Sequence, residues 1–378
     1  MRRCKMKGSR WRGIVYCFLW YFSILSGFLI LCCPLLPLMF FNQKAYRQAM
    51  ELIFATWELY PVALMEILFG TEFVINGDAI LPWDRSVLVM NHRTRLDWNF
   101  LWAALHYGTV IPAHRLKFVL KSPIRHAPGP GWVMQMAGFF FIHRKWETDQ
   151  KLLSSMIEYL QELEHTYQIL IFPEGTNLTE NSTQRSNEYA DKYHLPHYKQ
   201  VLHPKTTGFT YLVQKMSSVN QLDAVYDLSV AYPGTLPETE FDVLRGYFPE
   251  QVHFNIRRYP IDQLPVDDEE LKHWLSNIWK DKEDTLIQFY ESGKFDSYRK
   301  INLWPRPLSN SLHLSVFFWS AIIFGTFSAF LLSTWFQIYT VGVCCLFILL
   351  SFLGEGMYHI EIAWFKLKHF QYVRNKTK

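Results

Sequence analysis

A histidine and an aspartate five residues apart, His92 and Asp97 in the string NHRTRLD (91–97), have the side chains that general-base catalysis needs. An imidazole with an unperturbed pKa near 6.5 can accept a proton at neutral pH. A carboxylate on its other ring nitrogen fixes the tautomer and stabilises the imidazolium as it forms. Spacing restricts how the two can meet. Each helical residue turns about 100°, so residues five apart point roughly 140° from each other and share no helix face. The apolar run Ser86–Met90 before His92 and the apolar-rich stretch 98–106 after Asp97 predict strand, turn and helix instead. A turn through Arg93, Thr94 and Arg95 would let the carboxylate reach back to the imidazole. A loop histidine followed by an Asp helix cap would give the same string, so the pair takes its meaning from its company.

That company is a second strand end. FPEGT (172–176) follows the apolar run 169–171 and delivers Glu174, the permissive Gly175 and the hydroxyl of Thr176 to one edge. Glycine allows close backbone approach, and an edge beyond the carboxyl ends of strands suits a phosphate-bearing or hydroxylated ligand. A third strand, within GFFFIHR (138–144), ends in Arg144, whose forked guanidinium suits phosphate better than lysine does. Covalent catalysis lacks its parts. The six cysteines (4, 17, 32, 33, 344 and 345) all lie in or beside the apolar ends, and no G-x-S-x-G elbow is present to hold a strained serine. The polar middle therefore has neither a disulfide framework nor a zinc site, and direct transfer to a substrate is favoured over an enzyme-bound intermediate.

These residues need elements to position them. Across 71–297, short β-rich runs alternate with helical patterns, predicting strands at 72–75, 86–90, 118–120, 139–142, 168–172, 227–232 and 252–257. Several are continuous apolar runs, as expected of strands buried on both faces. Leu152, Leu153, Met156, Ile157, Leu160 and Leu163 recur at helical spacing over 148–165 and read as core packing. So do Leu271, Trp274, Leu275 and Ile278 in a later charged helix. The fold expected is α/β: a mixed sheet flanked by helices, with an N-terminal two-helix membrane element and a C-terminal transmembrane hairpin.

Of the 378 residues, the stretch 13–41 carries no charge, and about 20 apolar residues suffice to cross a bilayer. It follows a basic start and lacks a small-residue cleavage site, so it reads as an uncleaved anchor, kinked at its far end by Pro34 and Pro37. The stretch 52–70 contains Glu58, Pro61 and Glu66 and is expected to dip into the membrane or lie along it. Runs at 312–332 and 336–353 form the hairpin, and a basic tail follows. The division expected is 1–70 membrane-anchoring helices, 71–300 catalytic domain and 301–378 hairpin and tail. Basic flanks are expected to place both termini in the cytosol, and an even number of crossings at each end the middle too; a single crossing by the first segment would leave the middle lumenal. Sequons at Asn177, Asn181 and Asn375 are accordingly expected to be unused, the first two because a glycan would crowd FPEGT. A net charge of +4 without a dense basic face excludes nucleic acid as a partner. The basic stretch Arg115, Lys117, Lys121 and Arg125 could face anionic lipid or CoA phosphates, or be an ordinary solvated face.

Taken in order, NHRTRLDW, FIHRKW, FPEGTNLTENS, VLHPKTTGF and RYPID resemble the glycerolipid acyltransferase family typified by lysophosphatidate acyltransferases, and within it the lysocardiolipin acyltransferase branch, over nearly the whole chain. The resemblance implies an acyl-CoA-dependent O-acyltransferase with His92 as general base and Asp97 as its partner. It implies that Arg144, Glu174 and Gly175 bind the acceptor's glycerol phosphate, with Thr176 beside them. Lys205 with Pro204 occupies the fourth motif, which differs from the more hydrophobic version common elsewhere in the family. No cofactor or metal is implied; acyl-CoA is a co-substrate. Acceptors implied are lysophosphatidylinositol, lysocardiolipin or lysophosphatidylglycerol, in the endoplasmic reticulum membrane. Lysophosphatidate acylation, CoA-independent transacylation and a silent lipid-binding scaffold are the alternatives.

Overall fold

The computed structural model describes residues 8–109, 115–234, 236–295, 310–352 and 356–376. The expected boundary at 300 and the side chains of the basic tail beyond 368, with the Asn375 sequon, lie outside the described residues. Two compact units are each assembled from three stretches: Met1–Cys17, Pro61–Leu116 and Thr166–Leu312 in the first, Phe18–Tyr60, Lys117–His165 and His313–Lys378 in the second.

All seven predicted strands are present, as β1 (Glu72–Gly77), β2 (Ser86–Met90), β3 (Leu116–Lys121), β4 (Phe140–Ile142), β5 (Gln168–Ile171), β6 (Ala224–Ala231) and β7 (Gln251–Pro260). In the first unit they run in the order β1-β7-β6-β2-β5. Pairs β1–β7, β2–β6 and β2–β5 are parallel, whereas β6 and β7 are antiparallel, so the sheet is mixed. In the second unit β3 pairs with β4 in parallel. Every residue of β2, β5 and β6 is buried, which is why β2 and β5 read as nearly continuous apolar runs rather than alternating ones, while β6 also buries Asp227 and Ser229.

The α-helices are α1 (Arg10–Gly27), α2 (Leu36–Phe41), α3 (Gln43–Phe69), α4 (Asp97–Gly108), α5 (Pro130–Met136), α6 (Trp146–Glu162) and α7 (Glu180–Tyr193). They continue with α8 (Thr206–Ser218), α9 (Glu240–Leu244), α10 (Asp268–Ser292), α11 (Ser311–Leu332), α12 (Thr334–Phe352) and α13 (Met357–Lys376). The apolar stripes of α6 and α10 pack inward as read: Met156, Ile157, Leu160, Leu271 and Leu275 are all buried. A buried ion pair ties α10 to the sheet, where Lys282 Nζ meets the Asp227 carboxylate of β6 and also donates to Leu228 O at 2.6 Å.

Four helical segments are long and apolar enough to cross a membrane: Arg10–Phe41, Gln43–Phe69, Ser311–Leu332 and Thr334–Ser351. The first is regular to Gly27 and then passes through a π turn and a 3₁₀ turn into α2. Pro34 and Pro37 sit at the starts of those last two turns, where the missing N–H costs least. The second is longer than the apolar stretch 52–70: α3 is a continuous 27-residue helix with Pro61 inside it. Its acids do not face lipid: Glu58 is buried in protein and Glu66 accepts from the Tyr107 hydroxyl at 2.6 Å.

The second unit has its own apolar cluster, built on Phe28, Met39, Tyr46, Trp132, Met136 and Phe347. Inside it Arg47 is paired with Glu361 of α13 and donates to Met136 O at 2.9 Å. The basic stretch is not one continuous charged face, because Lys117 is buried with Nζ 2.9 Å from Glu51, and Arg125 is buried as well. Lys117 therefore neutralises an internal acid rather than meeting a headgroup.

Candidate active site

Strand register brings the site together. In the parallel pair β2–β5, Val89 lies opposite Ile171, so the segments beginning at Asn91 and Phe172 leave the sheet side by side. On the other flank Met90 pairs with Leu228, which carries β6 past the same edge toward Tyr232. Asn91 fixes that join: its side chain donates to Val230 O at 3.1 Å and accepts from Val230 N–H at 2.8 Å.

The chain turns after His92 and α4 starts at Asp97, giving the strand-turn-helix corner that the spacing requires. His92 Nδ1 lies 2.9 Å from Asp97 Oδ2. The Asp97 side chain is fully buried, and the imidazole retains 18% exposure. Leu96, not Asp97, is the N-cap of α4. The carboxylate accepts instead from Thr94 N–H at 2.9 Å, which holds the turn, and from the Tyr232 hydroxyl at 2.6 Å.

FPEGT meets the histidine from the other side. The His92 ring stacks on Phe172 with centroids 4.3 Å apart, and the His92 N–H donates to Glu174 Oε1 at 3.2 Å. Leu178 N–H donates to His92 O at 2.8 Å, and Lys205 N–H to Pro173 O at 2.8 Å. Gly175 has φ +72°, and a Cβ there would come 3.4 Å from Lys205 Nζ. Glycine is thus required by conformation, and it leaves a narrow space beside the ammonium. Thr176 and Lys205 are exposed. Arg144 belongs to the second unit, just past β4, exposed and with φ +61°. His92, Asp97, Glu174, Gly175 and Lys205 therefore form one cluster in the first unit. With Nδ1–H donated to the carboxylate, Nε2 carries the lone pair, the arrangement of an oriented base.

A family model described as Acyltransferase matches residues 73–233, and one described as Acyltransferase C-terminus matches 242–319. Lysocardiolipin acyltransferase 1 of Gallus gallus is 40% identical over 93% of this chain and 94% of its own. That of Mus musculus is 40% identical over 95% and 96%. Lysophosphatidylinositol acyltransferase 10 of Caenorhabditis elegans is 36% identical over 75% of each chain. The chain belongs to the glycerolipid acyltransferase family. Within it, the chain falls in the branch of the lysocardiolipin acyltransferases.

In this acyltransferase two neighbours of the dyad escaped sequence reading. Phe172 looked like part of a turn motif, and Tyr232 like the end of a strand. Nothing local marks a tyrosine 135 residues away as the donor to Asp97. Tyr232→Phe removes that donor and leaves a buried carboxylate oxygen unmatched. A hydrogen bond to a charged group is worth about 1.5–3 kcal/mol, and part of it is at stake in the transition state. The expected result is a fall in kcat of about tenfold with KM unchanged, checked by steady-state kinetics at a temperature where a melting curve shows the variant, lowered by a few degrees, still folded.

Glu174 is buried, and burial pushes its carboxyl up to about 8 against the opposing backbone N–H groups and the Lys282 ammonium. In the unfolded chain the same group titrates near 4.3. Its contribution to stability is therefore fully present below about 4.3 and lost as pH rises to about 8, because only the folded state holds the proton across that window. Glu174→Gln removes the dependence. Thermal unfolding in detergent between pH 5 and pH 8 should show the wild type losing several degrees more than the variant.

Proposed function

We propose that this chain transfers a fatty acyl group from acyl-CoA to a free hydroxyl of a lysophospholipid, with His92 acting directly on the acceptor. The observation that carries this reading is the His92–Asp97 contact of 2.9 Å at a sheet edge shared with Glu174, Gly175 and Lys205. His92 Nε2 removes the acceptor hydroxyl proton while that oxygen attacks the thioester carbonyl. The carbon–sulfur bond then breaks, and the thiolate of CoA leaves with the proton that the imidazolium returns. No described cysteine lies in the first unit's site region that could carry an acyl group: those in that unit and the second belong to apolar helices.

The electrostatics fit an anionic acceptor. A Glu174 held neutral near pH 7 does not repel a phosphate, and its hydroxyl can donate to one. Lys205 offers a positive charge beside Gly175, and Arg144 is assigned to the same acceptor through its place in the motif. The relatives named for lysocardiolipin and lysophosphatidylinositol support an anionic lysophospholipid with a bulky headgroup, of the inositol, cardiolipin or glycerol type. We assign the protein to the endoplasmic reticulum membrane with its catalytic unit in the cytosol, where acyl-CoA is available. Arg10 and Arg12 at the start of α1 favour that orientation.

The test uses the full chain in lipid nanodiscs with labelled acyl-CoA and a panel of lysophosphatidylinositol, lysophosphatidylglycerol, lysocardiolipin and lysophosphatidate. The expected product is an acylated inositol, glycerol or cardiolipin lipid that appears only with acyl-CoA. Product formed from a phospholipid donor without acyl-CoA would make the chain a transacylase instead. Preference for lysophosphatidate would overturn the acceptor assignment.

A further inference from the structure

We propose that the segment 237–248 is a third membrane-contacting element, inserted into the bilayer interface through Phe241 and Leu244, and that it holds the His92 turn at the lipid surface. The uncharged run of α1 begins at Gly13, directly after Arg10 and Arg12. A helix that enters a bilayer there has Gly13 at the boundary between headgroups and hydrocarbon. The turn after α9 sits on that residue. A Cβ added to Gly13 would come within 2.5 Å of Gly246 N, Leu244 O and Val243 O, and one added to Gly246 would meet Ser9 O at 2.3 Å. Such backbone-to-backbone approach fixes the depth of α9 relative to the membrane boundary.

Aromatic contacts lock the same level. Phe248 lies between Tyr16 of α1 and Phe69 at the end of α3, with ring centroids 4.8 Å and 3.8 Å away. The start of α1 and the end of α3 therefore lie together, and α9 is beside both. Val243 of α9 packs inward, and its other two apolar side chains are turned outward. Phe241 is 70% exposed and Leu244 42%; on α1, within two residues of Gly13, Trp11 is 73% and Ile14 47% exposed. Exposed large apolar groups on both elements that meet at Gly13 suit a lipid interface better than water, and an interface welcomes aromatics at headgroup depth. Arg245, 60% exposed and 3.9 Å from Asp242, adds a cation at the same level that can also meet lipid phosphate.

Two contacts connect this element to the catalytic turn. The Thr94 hydroxyl donates to Pro237 O at 2.7 Å, and Arg95 pairs with Glu240 at 3.2 Å. Both residues lie between His92 and Asp97. Seating α9 in the interface thereby sets the height of the dyad against a substrate whose acyl chain stays in the bilayer.

The experiment reconstitutes the full chain in liposomes of phosphatidylcholine with phosphatidylinositol. A spin label is placed at Phe241→Cys, in a background whose native cysteines are replaced, and another at Glu269→Cys on the charged face of α10. Relaxation by dissolved oxygen against a water-soluble nickel chelate is then compared. The expected result is a label at 241 relaxed preferentially by oxygen, and one at 269 by nickel. Equal access of nickel to both overturns the proposal, and so does a label at 241 shielded from both reagents, which would mean a protein covers it. A second measurement needs no labels: F241S/L244S is expected to raise KM for bilayer-embedded lysophospholipid about tenfold and leave kinetics on a monomeric short-chain acceptor unchanged. Identical kinetics on both would overturn the proposal. This second half rests on the acyltransferase reading; the spin-label half does not, so the two failures are distinguishable.

Discussion

His92→Ala is expected to abolish nearly all turnover while leaving a folded protein that still binds lipid. Positioned general-base catalysis contributes about 10²- to 10⁴-fold, and the loss should fall in that range or beyond it. The imidazole is partly exposed, and its packing partners are one phenyl face and one carboxylate. Its backbone contacts to Glu174 and Leu178 do not depend on the side chain. Stability should therefore change little. Single-turnover assays with labelled acyl-CoA, together with a melting curve, separate the two effects. A variant with near-normal turnover would remove His92 from the base role.

Asp97→Asn is expected to cost comparably, by a different route. The carboxylate receives the imidazole on Oδ2, together with the Thr94 N–H, and the Tyr232 hydroxyl on Oδ1. An asparagine has one acceptor oxygen for these donors. If its NH₂ faces the imidazole, it donates to Nδ1, the proton moves to Nε2, and the lone pair is lost. In triads of the same logic this exchange costs about 10⁴-fold. The double variant should be little worse than the poorer single one, because residues that act as a unit are not additive. Full multiplication of the two losses in a kinetic double-mutant cycle would mean that the pair does not work together.

Much of this molecule is legible in local patterns because its sheet is largely parallel. Strands buried on both faces tend to be continuous apolar runs, and β2 and β5 announce themselves that way, whereas β6 hides Asp227 behind its partner Lys282. Their carboxyl ends are then marked by the first polar residues that follow, which here are the His92 turn and FPEGT. Helix α3 was less readable. The full length of the helix, the burial of Glu58 and the Tyr107 hydroxyl that meets Glu66 depend on groups from elsewhere in the chain. Lys117 and Arg125 misled in the same way, since a string of basic residues looks like a surface until burial shows otherwise.

The sequence alone determined that His92 and Asp97 need a corner, because five-residue spacing forbids a shared helix face. It also determined the strand that delivers FPEGT and the apolar lengths that reach across a bilayer. Only the tertiary structure decided what surrounds the dyad. Phe172 lies under the imidazole, Tyr232 donates to the buried aspartate from 135 residues away, and Lys282 faces Asp227 beneath Glu174. The reason is physical. Periodicity and spacing report constraints within one element, whereas tautomer, burial and pKa are set by groups that meet only when the strands find their register.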